Sequence, residues 1–319
     1  MVRISRQYPD TVRPYPSSPG TVEIYLDHVG WFVPEMNPAT QALERLGFVL
    51  SPFVAHSSPD PEGASIPTGT GNRCAMLHSG FLEALVSIDG VDTPLARQHR
   101  AAVGRYVGIH LIAFAVADAE AARARLAAEG FEPLDPVRLH RSLALPETDE
   151  IQLSFTVVRV PPEKMKEGRI QLLTHETPEA TWHPDLLTHE NPFTSLAAVL
   201  LCVDDVEAAA KRYGRFLGRA WEGGRDQATI TLDRGRVVFA TPGRCAALLP
   251  GVVLPIDSPV IPAIALTTTD LKAAQQFCFE RQIRLAFSND RWLGVDPTEA
   301  MGATIVVHGP DEIWPPSPG

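Results

Sequence analysis

His28-Val29-Gly30-Trp31-Phe32-Val33 and Leu111-Ile112-Ala113-Phe114-Ala115-Val116 are the two apolar, strand-like stretches that decide the fold, because the same pattern follows each of them. After the first come Glu35, a helical stretch through Leu46, and Gly47-Phe48; after the second come Asp118, a helical stretch through Glu129, and Gly130-Phe131. Val33 to Gly47 and Val116 to Gly130 are both 14 residues, without a gap. Recurrence at a fixed spacing marks a repeated supersecondary unit. A third copy runs through 197–203, Asp205 and a helix ending near Gly218, and a fourth through 264–268, Asp270 and a helix to about Gln282.

Local chemistry bounds the helices. Asn37 is a candidate cap with Pro38 at the first helical position, and Asp118, Asp205 and Asp270 are caps in the other copies. Gly47 and Gly130 suit a left-handed C-terminal stop. Three strand-like stretches follow the first helix (48–56, 72–78, 81–88) and three the second (131–143, 151–160, 169–175). The later copies are shorter, with 228–232 and 236–240 in the third and 284–287, 292–295 and 303–308 in the fourth. Each unit therefore reads as βαβββ. A helix covers one sheet face and leaves the other curved and open, so two units must pair to close a cup. The expected fold class is α+β, with four tandem βαβββ modules forming two paired, barrel-like cups. The expected division is an extended N-terminal arm (1–20), a first module pair (21–176), a connector (177–192), a second, degenerate pair (193–310) and a C-terminal tail (311–319).

Composition narrows the function classes. The 319 residues carry a formal net charge of −10, and the pI is about 5.5. That balance disfavours phosphate neutralisation, so neither nucleic acid nor an anionic membrane surface is an expected partner. No apolar run approaches the roughly 18 residues needed to span a bilayer, and 1–20 lacks the apolar core of a secretory signal. Cys74, Cys202, Cys245 and Cys278 are far apart with no CxxC spacing, so they read as small buried hydrophobes in a reducing cytoplasm. Serine-hydrolase, nucleotide-loop and zincin motifs are missing from the sequence.

Several segments resemble the glyoxalase-like branch of the vicinal oxygen chelate superfamily. They are Asp27-His28-Val29 with Val33-Pro34-Glu35, Gly69-Thr70-Gly71-Asn72-Arg73, Gly80-Phe81-Leu82-Glu83-Ala84-Leu85, and His175-Glu176-Thr177-Pro178-Glu179 followed by Trp182 and His189-Glu190-Asn191. The resemblance covers most of 21–203 and is weaker over 204–310. It implies a glyoxalase-like fold with a divalent metal in the cup that chelates vicinal oxygens of a small-molecule substrate. The residues do not select among Zn, Fe, Ni, Mn and Mg, and a metal-free cup is the alternative. Members include lyases, isomerases, epimerases, extradiol dioxygenases, thiol transferases and non-catalytic drug-binding proteins, so the fold leaves the reaction open. The expectation is a metal-dependent enzyme acting on a small oxygenated metabolite, of lyase/isomerase or ring-cleaving dioxygenase type. The alternative is a sequestering protein of the same fold. A homodimer is left open.

The resemblance puts His28 and Glu83 at first- and fourth-strand ligand positions, where they are also the candidate catalytic residues. His110 is the third metal candidate. Matching Val116 to Val33 sets Leu111, not His110, opposite His28, so His110 reaches the cup only through a bulge and is otherwise a core histidine. Matching Gly80 to Gly168 makes Gln171 the counterpart of Glu83, with His175 further along the same strand face. Gln171, His175, Asn72 and Arg73 are the substrate-binding candidates, Arg73 either as a bidentate carboxylate partner or as a surface arginine. The stretch 57–71, rich in Gly, Pro, Ser and Thr, reads as a substrate lid. His140-Arg141-Ser142 reads as an exposed edge, with projection into the same cup as the alternative, and His308 as a surface polar residue. Ala198 and Ala263 stand where His28 stands, so the second pair reads as structural or as a cup for an apolar group.

Overall fold

The computed structural model describes residues 18–59, 65–145 and 150–316. The first module is β1 (Ile24–Phe32), α1 (Met36–Arg45), β2 (Val54–Pro59), β3 (Ser65–Met76) and β4 (Phe81–Ser87). A helix α2 (Pro94–Arg105) leads to the second module: β5 (Gly108–Val116), α3 (Ala119–Ala128), β6 (Val137–Leu143), β7 (Ile151–Arg159) and β8 (Arg169–His175). A short helix α4 (Pro178–Thr181) precedes the third module, β9 (Phe193–Cys202), α5 (Val206–Leu217), β10 (Glu222–Gly223), β11 (Gln227–Thr231) and β12 (Arg236–Ala240). After α6 (Pro242–Leu248) comes the fourth, β13 (Val260–Thr268), α7 (Leu271–Glu280), β14 (Leu285–Ser288), β15 (Trp292–Val295) and β16 (Thr304–His308). The four βαβββ units read from the repeat are present. Helices α2 and α6 lie between modules, outside the repeated pattern.

Within each module the last strand lies parallel to the first, and the first strands of paired modules lie antiparallel. The first half has the order β2-β3-β4-β1-β5-β8-β7-β6, and the second β10-β11-β12-β9-β13-β16-β15-β14. Bridges from Ile261 to Ile109 (between β13 and β5), Tyr25 to Arg234 and Ser79 to Ser195 join them. Each half curves into a cup but does not close into a barrel. In the first, the open edges β2 and β6 are linked by Arg141 Nη1 donating to the Ser57 carbonyl at 2.9 Å.

The helix boundaries follow from capping. Asp118, Asp205 and Asp270 each accept hydrogen bonds from the first helical turn. Helix α1 differs from the expectation. It begins at Met36 after Glu35, whose side chain makes no cap bond, and Asn37 is already helical. Gly47 and Gly130 end their helices at φ 81° and 78°, conformations that cost a side-chain-bearing residue 1–2 kcal/mol or so. Apolar positions of α1, α3, α5 and α7 and of the sheet faces beneath them form one core that runs through both halves.

Three expectations are corrected. Residues 57–59 and 65–71 are not a lid, since they belong to the β2–β3 hairpin, paired as Ser57 to Pro67 and Ser58 to Ile66; 60–64 lie outside the described residues, as does the arm except 18–20. Gly71 permits this close pairing, because a Cβ there would sit 2.3 Å from the Phe53 ring. His308 is buried, its Nδ1 donating to the Gly309 carbonyl. Cys74 is only partly buried and borders a cavity, while the other three cysteines are buried. The second cup, read as structural or as a site for an apolar group, is filled by the chain itself: Ala198 and Ala263 share one cluster with Cys245, Leu248 and Leu249 of the α6 region and the indole of Trp314. The small first-strand residues make room for this plug. Truncating Trp314, which is 1 % exposed, should cost about 3–5 kcal/mol, as for other buried aromatic-to-alanine changes. Urea unfolding of Trp314→Ala measures it; a loss below about 1 kcal/mol would mean that the indole does not fill that cup.

Candidate active-site cavity of the first module pair

The register of β1 between β4 and β5 determines which side chains meet. His28 lies beside Phe81 on β4 and Ala113 on β5, and Gly30 beside Glu83 and Leu111. On β8, Gln171 is opposite Ala113 and Arg169 opposite Leu111, and β7 then sets Arg159 beside Gln171. Two rungs thus cross the concave face, Phe81–His28–Ala113–Gln171–Arg159 and Cys74–Glu83–Gly30–Leu111–Arg169. Val29, Trp31 and Val33 face the opposite side and join the helix-covered core. The concave face encloses a space of about 1090 Å³, counted to its open mouth.

Gly30 is needed where it stands. A Cβ there would lie 3.1 Å from Glu83 Oε2 and 3.0 Å from Leu111 Cβ. Glu83 Oε1 accepts a 2.5 Å bond from Asn72 Nδ2. Asn72 adjoins His56, which in turn bonds Thr70 Oγ1 at 3.1 Å. Burial pushes the His56 imidazole down to about 3, and Arg141 adds to that.

A β-bulge at Asp27 shifts β1 against β5. The bulged carboxylate is buried between two imidazoles, at 2.7 Å from His28 Nδ1 and 3.0 Å from His175 Nε2. Burial opposes its charge, but His175 and His28 outweigh burial and hold the carboxyl well below the usual range. A carboxylate only accepts, so Nδ1 of His28 carries the proton and Nε2 is left as an acceptor on a ring that stacks on Phe81 at 4.2 Å. His175 Nδ1 is buried without a partner among the described residues.

Three arginines line the same cavity. Arg169 donates to Gln98 Oε1 through Nε at 3.0 Å and Nη2 at 2.7 Å and lies 5.0 Å over the Phe32 ring. Arg159 has one long bond, Nε to Gln171 Oε1 at 3.3 Å. Burial pushes Arg169 down to about 9 and Arg141 to about 10, with Arg159 adding to both and Glu83 opposing. Burial lowers Arg159 as well. All three stay cationic at neutral pH, facing the Glu83 carboxylate.

Of the candidates from sequence, His28, Glu83, Asn72, Gln171 and His175 border this cavity. Arg73 does not. It points to the other sheet face, bonded to the Ser51 carbonyl at 2.8 Å and Thr40 Oγ1 at 3.3 Å. His110 is the residue skipped by a second register shift, between Gly30 and Trp31 of β1. Its ring stacks on Tyr106 at 4.0 Å, its Nε2 meets the Tyr106 carbonyl at 2.9 Å, and it does not border the cavity. Arg141, read as an exposed edge, faces inward, whereas His140 is exposed. Arg159 and Arg169 were missed, although Arg169, Gln171, Leu173 and His175 alternate on one face of β8 and Phe155, Val157 and Arg159 on one face of β7.

The donor set can be tested against the divalent metal that the resemblance implies. His28 Nε2 and Glu83 Oε2 are available, but the facing rungs offer Ala113, Leu111 and a neutral Gln171 turned to Arg159. Among the described residues no three His, Cys, Asp or Glu side chains converge as metal ligands. Three guanidiniums in the same space also repel a cation. These residues do not complete a metal centre.

Comparison with known proteins agrees with the fold. The family described as glyoxalase-like domain matches residues 26–217, and the chain belongs to that family, within the vicinal oxygen chelate superfamily. Comparison with curated proteins finds no match. A hypothetical protein from Staphylococcus aureus superposes with TM-score 0.58 at 10% identity, over 90% of this chain and 99% of that one. A mutant 4-hydroxymandelate synthase from Streptomyces coelicolor gives 0.56 at 15%, over 92% and 95%. A Mn(II)-bound glyoxalase from Novosphingobium aromaticivorans gives 0.51 at 11%, over 92% and 83%. At such identities the likeness concerns the fold alone. Among the described residues no helix is long and apolar enough to cross a membrane.

His110 yields a pH prediction. Burial pushes its imidazole down to about 4, against a weaker upward effect of the Tyr106 carbonyl, whereas in an unfolded chain it titrates near 6.5. Between these values the unfolded state binds a proton that the folded state does not. The stability is therefore full above about pH 6.5 and lost as pH falls toward 4, by about 3 kcal/mol for a shift of this size. Urea unfolding from pH 7 to pH 4 should show a shallower loss in His110→Phe than in the unaltered protein. Equal slopes would contradict the assignment.

Proposed function

We propose that the first cup is the active site of a glyoxalase-like enzyme of the lyase/isomerase kind, moving a proton on a small oxygenated metabolite. Glu83 is the catalytic base. The reading rests on one observation, a carboxylate with one oxygen held by Asn72 and the other beside Gly30, inside a cavity that is otherwise cationic. Oε2 takes a proton from carbon next to a substrate carbonyl. Negative charge then develops on the carbonyl oxygen, in the field of the guanidiniums, where fixed charge is most effective. His28, its tautomer set by Asp27, accepts a substrate hydroxyl at Nε2, and Gln171 and His175 bind the substrate on the facing module. Closing the cup around the substrate excludes water from the enolate.

The ring-cleaving dioxygenase reading has less support, because such chemistry uses two histidines and a carboxylate around iron. Here His110 is bonded to Tyr106 and His175 to Asp27. Metal dependence of the lyase/isomerase reading is supported by the Mn(II)-bound glyoxalase of the same fold and opposed by the donor set above. The sequestration reading shares the cavity but not the proton transfer.

Proton exchange separates these readings. With phenylpyruvate in deuterated water, the protein should accelerate deuterium incorporation at the carbon beside the carbonyl. Glu83→Gln should lower that rate about 10²–10⁴-fold, as expected for loss of a general base, and leave phenylpyruvate affinity within a few-fold. Binding without exchange would favour sequestration. Exchange lost on chelation and restored by Mn(II) would establish the metal-dependent form.

A further inference from the structure

The cavity has two chemically different parts that the proton-transfer reading does not explain. At one end the guanidiniums of Arg159 and Arg169 converge with only one carboxylate, Glu83, set against them. Among the described residues neither terminal nitrogen of Arg159 has a protein partner, and its only bond is the 3.3 Å contact from Nε to Gln171. Arg169 is aimed by Gln98 and Phe32, which fix the plane of its fork. Both side chains are half-buried, and both line the cavity. Buried cations are costly to leave without a counter-charge. Next to them, Leu139, Phe155, Val157 and Leu173 make an apolar wall on β6, β7 and β8, with Arg141 beyond Leu139 on β6. The space, about 1090 Å³ counted to its open mouth, is thus lined by cationic groups at one end and by apolar side chains beside them.

The geometry points to an amphipathic carboxylate as the ligand of this cup, with its carboxylate on Arg159 and Arg169 and a medium-length alkyl or aryl body along the β6–β8 wall. Two forks can take a carboxylate bidentately, and an entering anion offsets the burial that lowers both guanidiniums and the repulsion that Arg159 adds at Arg169. This names the substrate class within the proposed function and rests on that reading only for turnover. The anion site itself stands or falls on binding.

Binding is therefore tested with octanoate, which has no carbonyl-activated carbon to deprotonate. Calorimetry on the full chain compares octanoate with 1-octanol, octylamine and butyrate. Octanoate is expected to bind at least tenfold more tightly than any of the three. Arg159→Met should weaken octanoate at least tenfold and leave 1-octanol unchanged. Arg159→Lys keeps the charge without the fork and should fall between. Arg138→Met, at an exposed pair with Glu176, should have no effect. Thermal unfolding of each variant establishes that it is folded; if Arg159→Met is not, Arg159→Lys and the ligand series decide. Octanoate binding no better than 1-octanol, or binding unchanged in Arg159→Met and Arg159→Lys, would overturn the assignment. Tight octanoate binding that persists in Glu83→Gln, in a protein that exchanges no phenylpyruvate protons, would uphold the anion site while rejecting the catalytic reading.

Discussion

The cup depends on the seating of β1 between β4 and β5. Strand side chains alternate, so a one-residue slip would send His28 into the helix-covered core and bring Val29 or Trp31 into the cavity. Two irregularities hold the register. The bulge at Asp27 turns its carboxylate between His28 and His175, tying the first strand of one module to the last strand of the other. The second shift, at His110, is locked by the Tyr106 carbonyl and by the packing of Tyr106, His110 and Phe32. Gly30, between these irregularities, leaves the space in which Glu83 lies.

This arrangement gathers charge in a place where charge is expensive. Asp27 is hydrogen-bonded by an imidazole on each side. The guanidiniums are not matched in the same way, with Glu83 the only carboxylate that the three arginines share. Such an excess is tolerable when the cavity serves an anion, and it explains why the facing module offers Gln171 and small apolar residues instead of further metal ligands. The second half shows the other outcome of the same architecture. Its first strands carry Ala198 and Ala263, and its cup is filled by α6 and Trp314.

The fold was legible because it is written as a period. The 14-residue spacing, the aspartate caps and the glycine stops are local features, and they located the helices and nearly all the strands. His28 and Glu83 were picked out by the family resemblance, and the alternation of β1 placed His28 on the cavity face. Helices α2 and α6 were not, since each occurs once and falls between repeats. The 57–71 stretch was misread because Gly, Pro and Ser suggest a loop, while a long twisted hairpin also needs small residues where it passes Phe53. Arg73 on β3 and Arg141 on the edge strand β6 were misassigned by one face, since composition does not state which way a strand turns its side chains. Arg159 and Arg169 were overlooked because an isolated arginine in a strand ordinarily signals a solvated face, and only the pairing of β5, β8 and β7 turns both inward.

Anomalous diffraction from crystals soaked in bromide tests the central claim, that the first cup is a cationic site built for an anionic ligand, most directly. The account predicts a strong anomalous peak inside that cup between Arg159 and Arg169, and no peak within the second cup around Trp314. Bromide confined to the outer surface, with the first cup empty of it, would contradict the account.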